Sequence, residues 1–261
     1  MLKLLEKKLR PVRRNNSPQA TNFNDYADAK PHLIGRISKG KNVRGLHLAS
    51  YCSYCERPIP TSLAVEHIEP KKGPFGKPQL ETVWTNFLLA CVNCNSTKGD
   101  KQVIFSDLFF PDRDNTFFAF EYKADGTVIP NPSLSARHQI TAKKTLDLCG
   151  LRKKKSQGKK TDIALERVGQ RMQIWGQAED SLVDYRKDPA NNAVVNGIVN
   201  LMVATGFFSV WMAVFDDIPE MKVRFIQAIS GTEESGCFDM ADGSVISPHP
   251  NADNLQDGGK I

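Results

Sequence analysis

The chain has 261 residues, of which 40% are hydrophobic and 25% charged, enough apolar residues for one large domain or two smaller ones. The composition indicates a soluble globular protein with a formal net charge of +6. The start, MLKLLEKKLR, mixes lysines with leucines and lacks both an apolar core and a small-residue cleavage site, which argues against a secretory signal and favours a cytoplasmic protein.

The positive charge is concentrated in the first part of the chain. Residues 1–44 carry eleven Lys and Arg against three Asp and Glu, and the run RKKKSQGKK at residues 152–160 has six basic residues and no acid. From residue 213 onward, nine acids face three bases. Basic patches favour a polyanionic partner, because they release counterions from phosphates. A lysine-rich run beside a glycine is equally consistent with a solvated linker.

Four regions are predicted along the chain. Residues 1–50 form a basic N-terminal arm, irregular or partly helical, and residues 51–101 contain two cysteine pairs. Residues 102–150 are predicted to add a β-hairpin and a helix. Residues 151–261 are predicted to be a helical C-terminal region with an acidic tail.

The hairpin is predicted within NTFFAFEYKADGTVIP, where alternate aromatic residues precede a tight turn. Asp125-Gly126 supplies the positive φ angles that such a turn requires. The next element is predicted to be a helix from about residue 134 to residue 148, which ends at Gly150.

Two further helices are predicted in the C-terminal region. Apolar residues recur at helical spacing over residues 161–188, and Pro189 closes that segment. The uncharged stretch at residues 193–215 is long enough to cross a bilayer. Asn196 and Asn200 lie on one face of it, and its flanks show no positive bias, so we predict a buried core helix and no membrane span.

Four of the six cysteines fall into two C-x-x-C pairs, YCSYC and ACVNC, which is metal-ligand spacing in a reducing compartment. These residues are Cys52, Cys55, Cys91 and Cys94. Four thiolates make a closed tetrahedral site for structural Zn²⁺, with no open position for a substrate. Cys149 and Cys237 lie in apolar surroundings and are predicted to be small buried side chains.

The segment between the cysteine pairs contains residues suited to chemistry. LAVEHIEP is predicted to be a short strand ending at Pro70, NFLLAC a second strand, and NSTKGDK the opening of a helix. If a zinc ion clamps both ends, these elements bring four polar residues within reach of one another: Glu66, His67, Asn86 and Asn95.

These motifs resemble a known family. EHIEPK followed by WTNFLLACVNCNSTKGD, with the paired C-x-x-C, is similar to the HNH endonuclease superfamily and its ββα-metal fold over residues 51–101. With FPDRDNTFFAFEY and ISGTEESGCFD, the chain also resembles the PtuB-like HNH nucleases of Septu-type and retron-associated anti-phage systems. The resemblance implies an α+β protein in which a zinc-pinned ββα-metal HNH module is flanked by helical regions.

The resemblance also implies roles for individual residues. It makes His67 the general base, a role that an unperturbed imidazole pKa of about 6.5 suits. It makes Glu66 a metal ligand, although strand alternation points Glu66 to the opposite face, so a bulge or the strand end must bring it to the metal. Asn95 stands where many family members have the third histidine. Carboxylate and amide oxygens favour a catalytic Mg²⁺ or Mn²⁺.

Other residues would support this site. Asn86 corresponds to the middle asparagine of the family, whose side chain secures the loop that carries the base. Glu69 is expected to be a surface carboxylate or to support a metal ligand. Candidate phosphate contacts are Lys71, Lys72 and Lys98.

We therefore predict a metal-dependent HNH endonuclease that hydrolyses phosphodiester bonds of DNA, as the effector nuclease of an anti-phage defence complex. The helices after residue 161 and the acidic tail are expected to dock a partner ATPase, and oligomerisation is possible. The alternative is a non-catalytic, zinc-stabilised nucleic-acid-binding or assembly subunit. In that case His67 would be structural, Asn95 would cap its helix and Lys98 would be a plain surface lysine.

Overall fold

The computed structural model describes residues 23–37, 39–61, 63–152 and 163–261. The first 22 residues and the basic run after Arg152 lie outside the described residues, so the predictions for them are not addressed by the structure. Within the described ranges the helices are α1 (Lys30–Ile37), α2 (Val92–Lys98), α3 (Thr116–Ala119), α4 (Ala136–Leu148), α5 (Ile163–Lys187), α6 (Asn192–Thr205), α7 (Phe208–Val214) and α8 (Pro219–Ala228).

Six short strands form three antiparallel pairs in the described part of the chain. They are β1 (Lys39–Lys41) with β2 (His47–Ser50), β3 (Ala64–His67) with β4 (Phe87–Ala90), and β5 (Phe120–Tyr122) with β6 (Val128–Pro130). The mixture of helices and strands confirms the α+β prediction. The β1–β2 pair lies within the predicted arm and was not anticipated.

The strands β3 and β4 and the helix α2 form the predicted ββα unit. The strand β3 ends at His67 and not at Pro70. The reason is that the backbone N–H and C=O of Glu69 form hydrogen bonds with the side chain of Asn86 and so do not pair with a neighbouring strand. The helix starts earlier than predicted, between the two cysteines of the second pair, because the Cys91 sulfur caps it by accepting a hydrogen bond from the Cys94 N–H at 3.4 Å.

The hairpin and the helix of residues 102–150 are confirmed. Gly126 in the hairpin turn has a φ of +74°, and α4 ends two residues before Gly150, which has a φ of +66°. The first half of the predicted aromatic strand differs, since Phe118 belongs to the short helix α3.

A first hydrophobic core surrounds the ββα unit. All residues of β4 are fully buried, as are Phe109 and Phe110. The core also takes in Ala29 and Leu33, so part of the predicted arm packs into it. Cys149 is buried here, as predicted.

A second hydrophobic core lies among helices α5 to α8. Trp211, Phe215 and Phe225 are fully buried, and their ring centroids are 5.3 to 6.2 Å apart. Cys237 is buried in this core, as predicted. No helix of the described chain has the length and apolar character needed to cross a membrane.

The prediction of a single helix over residues 193–215 is wrong. The chain forms two helices, α6 and α7, separated by Gly206 and Phe207, which have φ angles of +71° and +55°. The break coincides with a close approach to the first cysteine pair, because a Cβ on Gly206 would lie 2.7 Å from the carbonyl oxygen of Glu56.

The tail returns to the first core. The carbonyl oxygen of Ile261 accepts hydrogen bonds from the N–H groups of Asn115 and His249, each at 2.9 Å. Lys260 donates to the buried carboxylate of Asp114 at 3.0 Å. The end of the acidic tail is therefore tied to the FPDRDN segment at residues 110–115.

Candidate active site and cysteine cluster

The cysteines of the two C-x-x-C pairs converge in one buried cluster. Their four sulfur atoms lie within 4.8 Å of one another, and those of Cys55 and Cys91 are 3.8 Å apart. Four sulfurs bound to zinc at about 2.3 Å in tetrahedral geometry also lie about 3.8 Å apart. The predicted cluster is therefore formed, and its size suits a zinc ion.

Two contacts hold the cluster in place. The backbone N–H of Ser53 donates to the carbonyl oxygen of Leu89 at 2.8 Å, which ties the first cysteine pair to β4. The guanidinium of Arg167, on α5, donates to the Cys94 sulfur at 3.2 Å and to the Cys149 carbonyl oxygen at 2.9 Å. Its charge offsets part of the negative charge of the thiolates. Sequence reasoning missed Arg167, which stands in an ordinary helical pattern.

An open pocket of about 310 Å³ lies at the other end of the ββα unit. It is lined by Tyr26, Val65, Glu66, His67, Pro70, Lys71, Lys72, Asn95, Lys98, Gly99 and Asp100. The predicted base and both predicted metal ligands thus share one cavity.

His67 lies at the end of β3 with 9% of its surface exposed. Its Nε2 atom is 2.8 Å from the carbonyl oxygen of Glu81. A carbonyl oxygen only accepts, so Nε2 carries the hydrogen and Nδ1 keeps its lone pair. Burial lowers the pKa of His67 and outweighs the effect of the Glu81 carbonyl, which raises it. The imidazole is therefore neutral at pH 7 and can accept a proton.

Two aromatic rings hold the imidazole. The rings of Tyr26 and Phe87 each meet it edge to face, with centroids 5.1 Å away. Tyr26 belongs to the predicted N-terminal arm, and no sequence signal linked it to the site. The arm thus supplies one wall of the pocket.

Glu66 is 1% exposed and points toward α2. Its Oε1 atom is 2.8 Å from the ammonium of Lys98 and 3.4 Å from the hydroxyl of Tyr54. Burial raises the pKa of Glu66 to about 7, against the opposing effect of Lys98. The β3–β4 register is regular through this residue. No bulge is formed here, and Glu66 reaches the pocket because the strand ends at the next residue.

Asn95 lies in the middle of α2 and lines the pocket. It does not cap the helix, because Cys91 does. Among the residues that the structure describes, the side-chain amide of Asn95 has no hydrogen-bond partner. Its oxygen is therefore available to a ligand in the pocket.

Asn86 fastens the loop that follows His67. Its side chain accepts from the Glu69 N–H at 2.8 Å and donates to the carbonyl oxygens of Glu69 at 3.0 Å and Leu80 at 3.3 Å. Its backbone carbonyl accepts from the Ile68 N–H at 2.8 Å. These hydrogen bonds tie the loop after His67 to the residue that precedes β4.

The lysines differ from one another. Lys98 is 2% exposed and donates to the His67 carbonyl oxygen at 2.7 Å, so its ammonium is committed to the protein and not presented to a phosphate as predicted. Lys71 pairs with Glu81 at 2.7 Å and lies 3.6 Å above the Tyr26 ring. Lys72 is exposed at the rim of the pocket.

Glu69 is 9% exposed and forms an ion pair with Lys77, so it is not the surface carboxylate that was one of the two expectations. It lies next to Asn86 but does not line the pocket that contains His67.

The family model of the HNH endonucleases matches residues 52–101. The chain carries an HNH endonuclease domain. The match coincides with the cysteine cluster and the ββα unit, and it supports a nuclease. This confirms the family resemblance seen in the sequence.

A relative is known in Vibrio cholerae serotype O1 biovar El Tor, where it is named "Retron Vc95 putative HNH endonuclease". It is 28% identical to this chain over 162 residues, which cover 55% of this chain and 76% of the relative. The similarity therefore reaches well beyond the HNH domain, which spans residues 52–101.

Proposed function

We propose that this HNH nuclease hydrolyses phosphodiester bonds of DNA in a reaction that depends on Mg²⁺ or Mn²⁺. The observation that carries the proposal is the pocket shared by Glu66, His67 and Asn95, with Asn86 holding the loop that follows His67. A base, two oxygen ligands and an open cavity are the parts that phosphodiester hydrolysis requires.

In this proposal His67 is the general base. Its Nδ1 lone pair accepts the proton of the attacking water, while the Glu81 carbonyl fixes the ring through Nε2. Asn86 acts indirectly, by holding the backbone just after His67. The Tyr26 and Phe87 rings limit the rotation of the imidazole.

The donor set suits a hard cation. The carboxylate of Glu66 and the amide oxygen of Asn95 would hold it, and the cation would offset the negative charge that develops on the phosphate. The four cysteines would hold a structural Zn²⁺, because a closed set of thiolates leaves no position for a substrate. Each metal would thus have its own ligands and its own role.

The substrate is proposed to be DNA bound through its backbone. Lys72, exposed at the rim, is the strongest candidate for a phosphate contact, and Lys71 is close to it. Contacts to phosphates position a duplex without reading its sequence. The basic run at residues 152–160 would add affinity.

The biological role is proposed to be anti-phage defence in the cytoplasm, as the effector nuclease of a complex. The support is the relative named for retron Vc95. We further propose that helices α5 to α8 dock a partner ATPase, since they form a second core of their own outside the HNH domain at residues 52–101. Pull-down from the native operon should recover such a partner, whereas a monodisperse and fully active isolated chain would contradict docking.

The nuclease proposal is tested by incubating supercoiled plasmid, and separately RNA, with the full chain under Mg²⁺, Mn²⁺ or chelator. Nicking should require the added cation. His67→Ala should lower the rate by a factor of about 10² to 10⁴ and leave zinc content and Tm unchanged. His138→Ala is the matched control, because that side chain packs on Phe109, away from the pocket.

The pH profile of the same reaction checks the base. Burial lowers the pKa of His67, so the base stays unprotonated to lower pH than an ordinary histidine would. At saturating cation, activity should therefore persist below pH of about 6.5 before it declines. Equal cleavage by wild type and His67→Ala, or cleavage of RNA but not DNA, would contradict the proposal.

A further inference from the structure

Lys98 places a buried cation on the carboxylate proposed as a metal ligand. Its ammonium is 2.8 Å from Glu66 Oε1 and 2.7 Å from the carbonyl oxygen of His67. Only 2% of Lys98 and 1% of Glu66 is exposed, so bulk water screens this pair weakly. The charge of Glu66 is therefore already balanced in the folded protein.

A divalent cation at Glu66 would lie close to this ammonium. Magnesium binds carboxylate oxygens at about 2.1 Å, so a cation on the oxygen that Lys98 contacts would lie within about 5 Å of Nζ. Like charges at that distance repel strongly in a poorly hydrated site. Lys98 cannot withdraw easily, because its second hydrogen bond anchors it to β3.

The remaining charges of the pocket do not offset this repulsion. Lys71 is neutralised by its ion pair with Glu81, and Lys72 and Asp100 carry one charge of each sign. Asn95 contributes an uncharged amide where a second carboxylate would have added attraction. The pocket thus supplies no net negative charge to attract a free divalent cation, whereas a bound phosphate would add it.

We propose that Lys98 is an internal competitor of the catalytic cation, which keeps the Glu66 site weak until a phosphate of the nucleic acid supplies additional negative charge. This inference rests on the proposed function. It makes cation binding and substrate binding cooperative, and linkage requires each to strengthen the other by the same factor. The nuclease would then hold little catalytic metal when no substrate is present.

A purely structural role for Lys98 predicts the opposite sign. If Lys98 only supports the fold of the site, its removal would leave Glu66 buried without an oppositely charged partner and would weaken or not change cation binding. If Lys98 competes with the cation, its replacement by a neutral side chain should strengthen cation binding. The direction of the change therefore separates the two roles.

The experiment measures Mn²⁺ binding to the zinc-loaded full chain by calorimetry and electron paramagnetic resonance. The variants are Lys98→Met, Lys98→Gln and Lys98→Arg, with Glu66→Gln to identify the site. Each is measured with and without a phosphorothioate DNA that resists cleavage. Zinc content and Tm verify the fold, and the glutamine variant supplies a neutral hydrogen-bond donor if the methionine variant does not fold.

Lys98→Met and Lys98→Gln should bind Mn²⁺ about tenfold or more tightly than wild type when DNA is absent, while Lys98→Arg stays close to wild type. Added DNA should strengthen Mn²⁺ binding more in wild type than in the neutral variants. Unchanged or weaker binding by both folded neutral variants would overturn the inference, even if wild type cleaves DNA. The proposed function itself would be overturned if the wild type does not cleave DNA and if its Mn²⁺ binding is the same as that of Glu66→Gln.

Discussion

The HNH domain at residues 52–101 and the helices α5 to α8 are held together by different interactions. The helices share an apolar core in which Trp211, Phe215 and Phe225 are fully buried and stack or meet edge to face. The HNH domain has an apolar core too, but it also buries a cluster of sulfurs and several polar side chains, among them Glu66 and Lys98. Burial of such groups is unfavourable unless each finds a partner.

Of these two regions, it is the HNH domain whose stabilising contacts also position the candidate active site. In the HNH domain the contacts that hold the fold, such as those of Asn86 and Lys98, also orient the proposed base and the proposed metal ligand. In helices α5 to α8, the apolar packing contacts between described residues do not orient the proposed base or the proposed metal ligand. We expect the stability of the HNH domain to depend on a metal bound by the cysteines and on these hydrogen bonds. We expect helices α5 to α8 to stay folded when that metal or those hydrogen bonds of the HNH domain are removed.

The largest expected effect is loss of the cysteine site. Cys94→Ser, or prolonged chelation, should unfold the HNH domain and abolish cleavage, because structural zinc contributes about 10 kcal/mol or more in small domains. Hydrogen exchange should show lost protection across residues 52–101 and retained protection in α6 and α7.

The matched control is Cys237→Ser, because that cysteine is equally buried but lies in the helical core, away from the cluster. It should keep its zinc and its activity. If zinc removal instead exposes both regions together, the chain behaves as one cooperative unit and the comparison fails.

A smaller effect is expected for Asn86→Ala. The variant loses the three hydrogen bonds that fasten the loop after His67, so the base should lose its alignment. Stability should fall by about 1–3 kcal/mol, and cleavage by about 10- to 100-fold, with zinc retained. Asn93→Ala, on α2, is the control and should change neither quantity by more than a small amount.

Several features of this site could be read from local sequence. The two C-x-x-C spacings predicted the cluster, and the segments LAVEHIEP and NFLLAC were each predicted as one of the two strands. Gly126 and Gly150 marked a turn and a helix end correctly because only their own φ angles were needed. Such features depend on residues that are close together in the chain.

Other features depend on partners that are distant in the chain. Arg167 reaches Cys94 from 73 residues away, and nothing in its own helix predicts the contact. The break after α6 follows from the approach of Gly206 to Glu56. The start of α2 was placed too late because cysteine is an unusual N-cap.

The contact between the two regions can itself be weakened. The Glu56 carboxylate accepts from the Ser209 N–H at 2.8 Å and from its hydroxyl at 2.6 Å, and the Glu56 carbonyl accepts from the Phe207 N–H at 3.0 Å. Glu56→Ala should lower the free energy of unfolding by about 1–3 kcal/mol, because it leaves the N–H and the hydroxyl of Ser209 without their charged acceptor. The hydrogen bond from Phe207 to the backbone carbonyl of residue 56 is retained.

In Glu56→Ala, the HNH domain and helices α5 to α8 should lose their hydrogen-exchange protection at urea concentrations that differ more than in wild type. Glu220→Ala is the control, since its ion pair with Arg224 is exposed on α8 and contributes about 0.3–0.5 kcal/mol. A separation that is the same in both variants would show that Glu56 does not couple the regions.

The smallest expected effect concerns the nucleic-acid surface of the HNH domain. Lys72→Ala removes one exposed ammonium at the pocket rim, and the salt dependence of DNA binding should become shallower by about 0.9 in log K against log salt. The measurement is a titration of cleavage-resistant duplex at several salt concentrations. Lys144→Ala is the control, because that lysine pairs with Asp107 on another surface. An equal change in both variants would mean that DNA responds to the total charge of the protein, whereas a change in Lys72→Ala alone places a phosphate beside the pocket that contains His67.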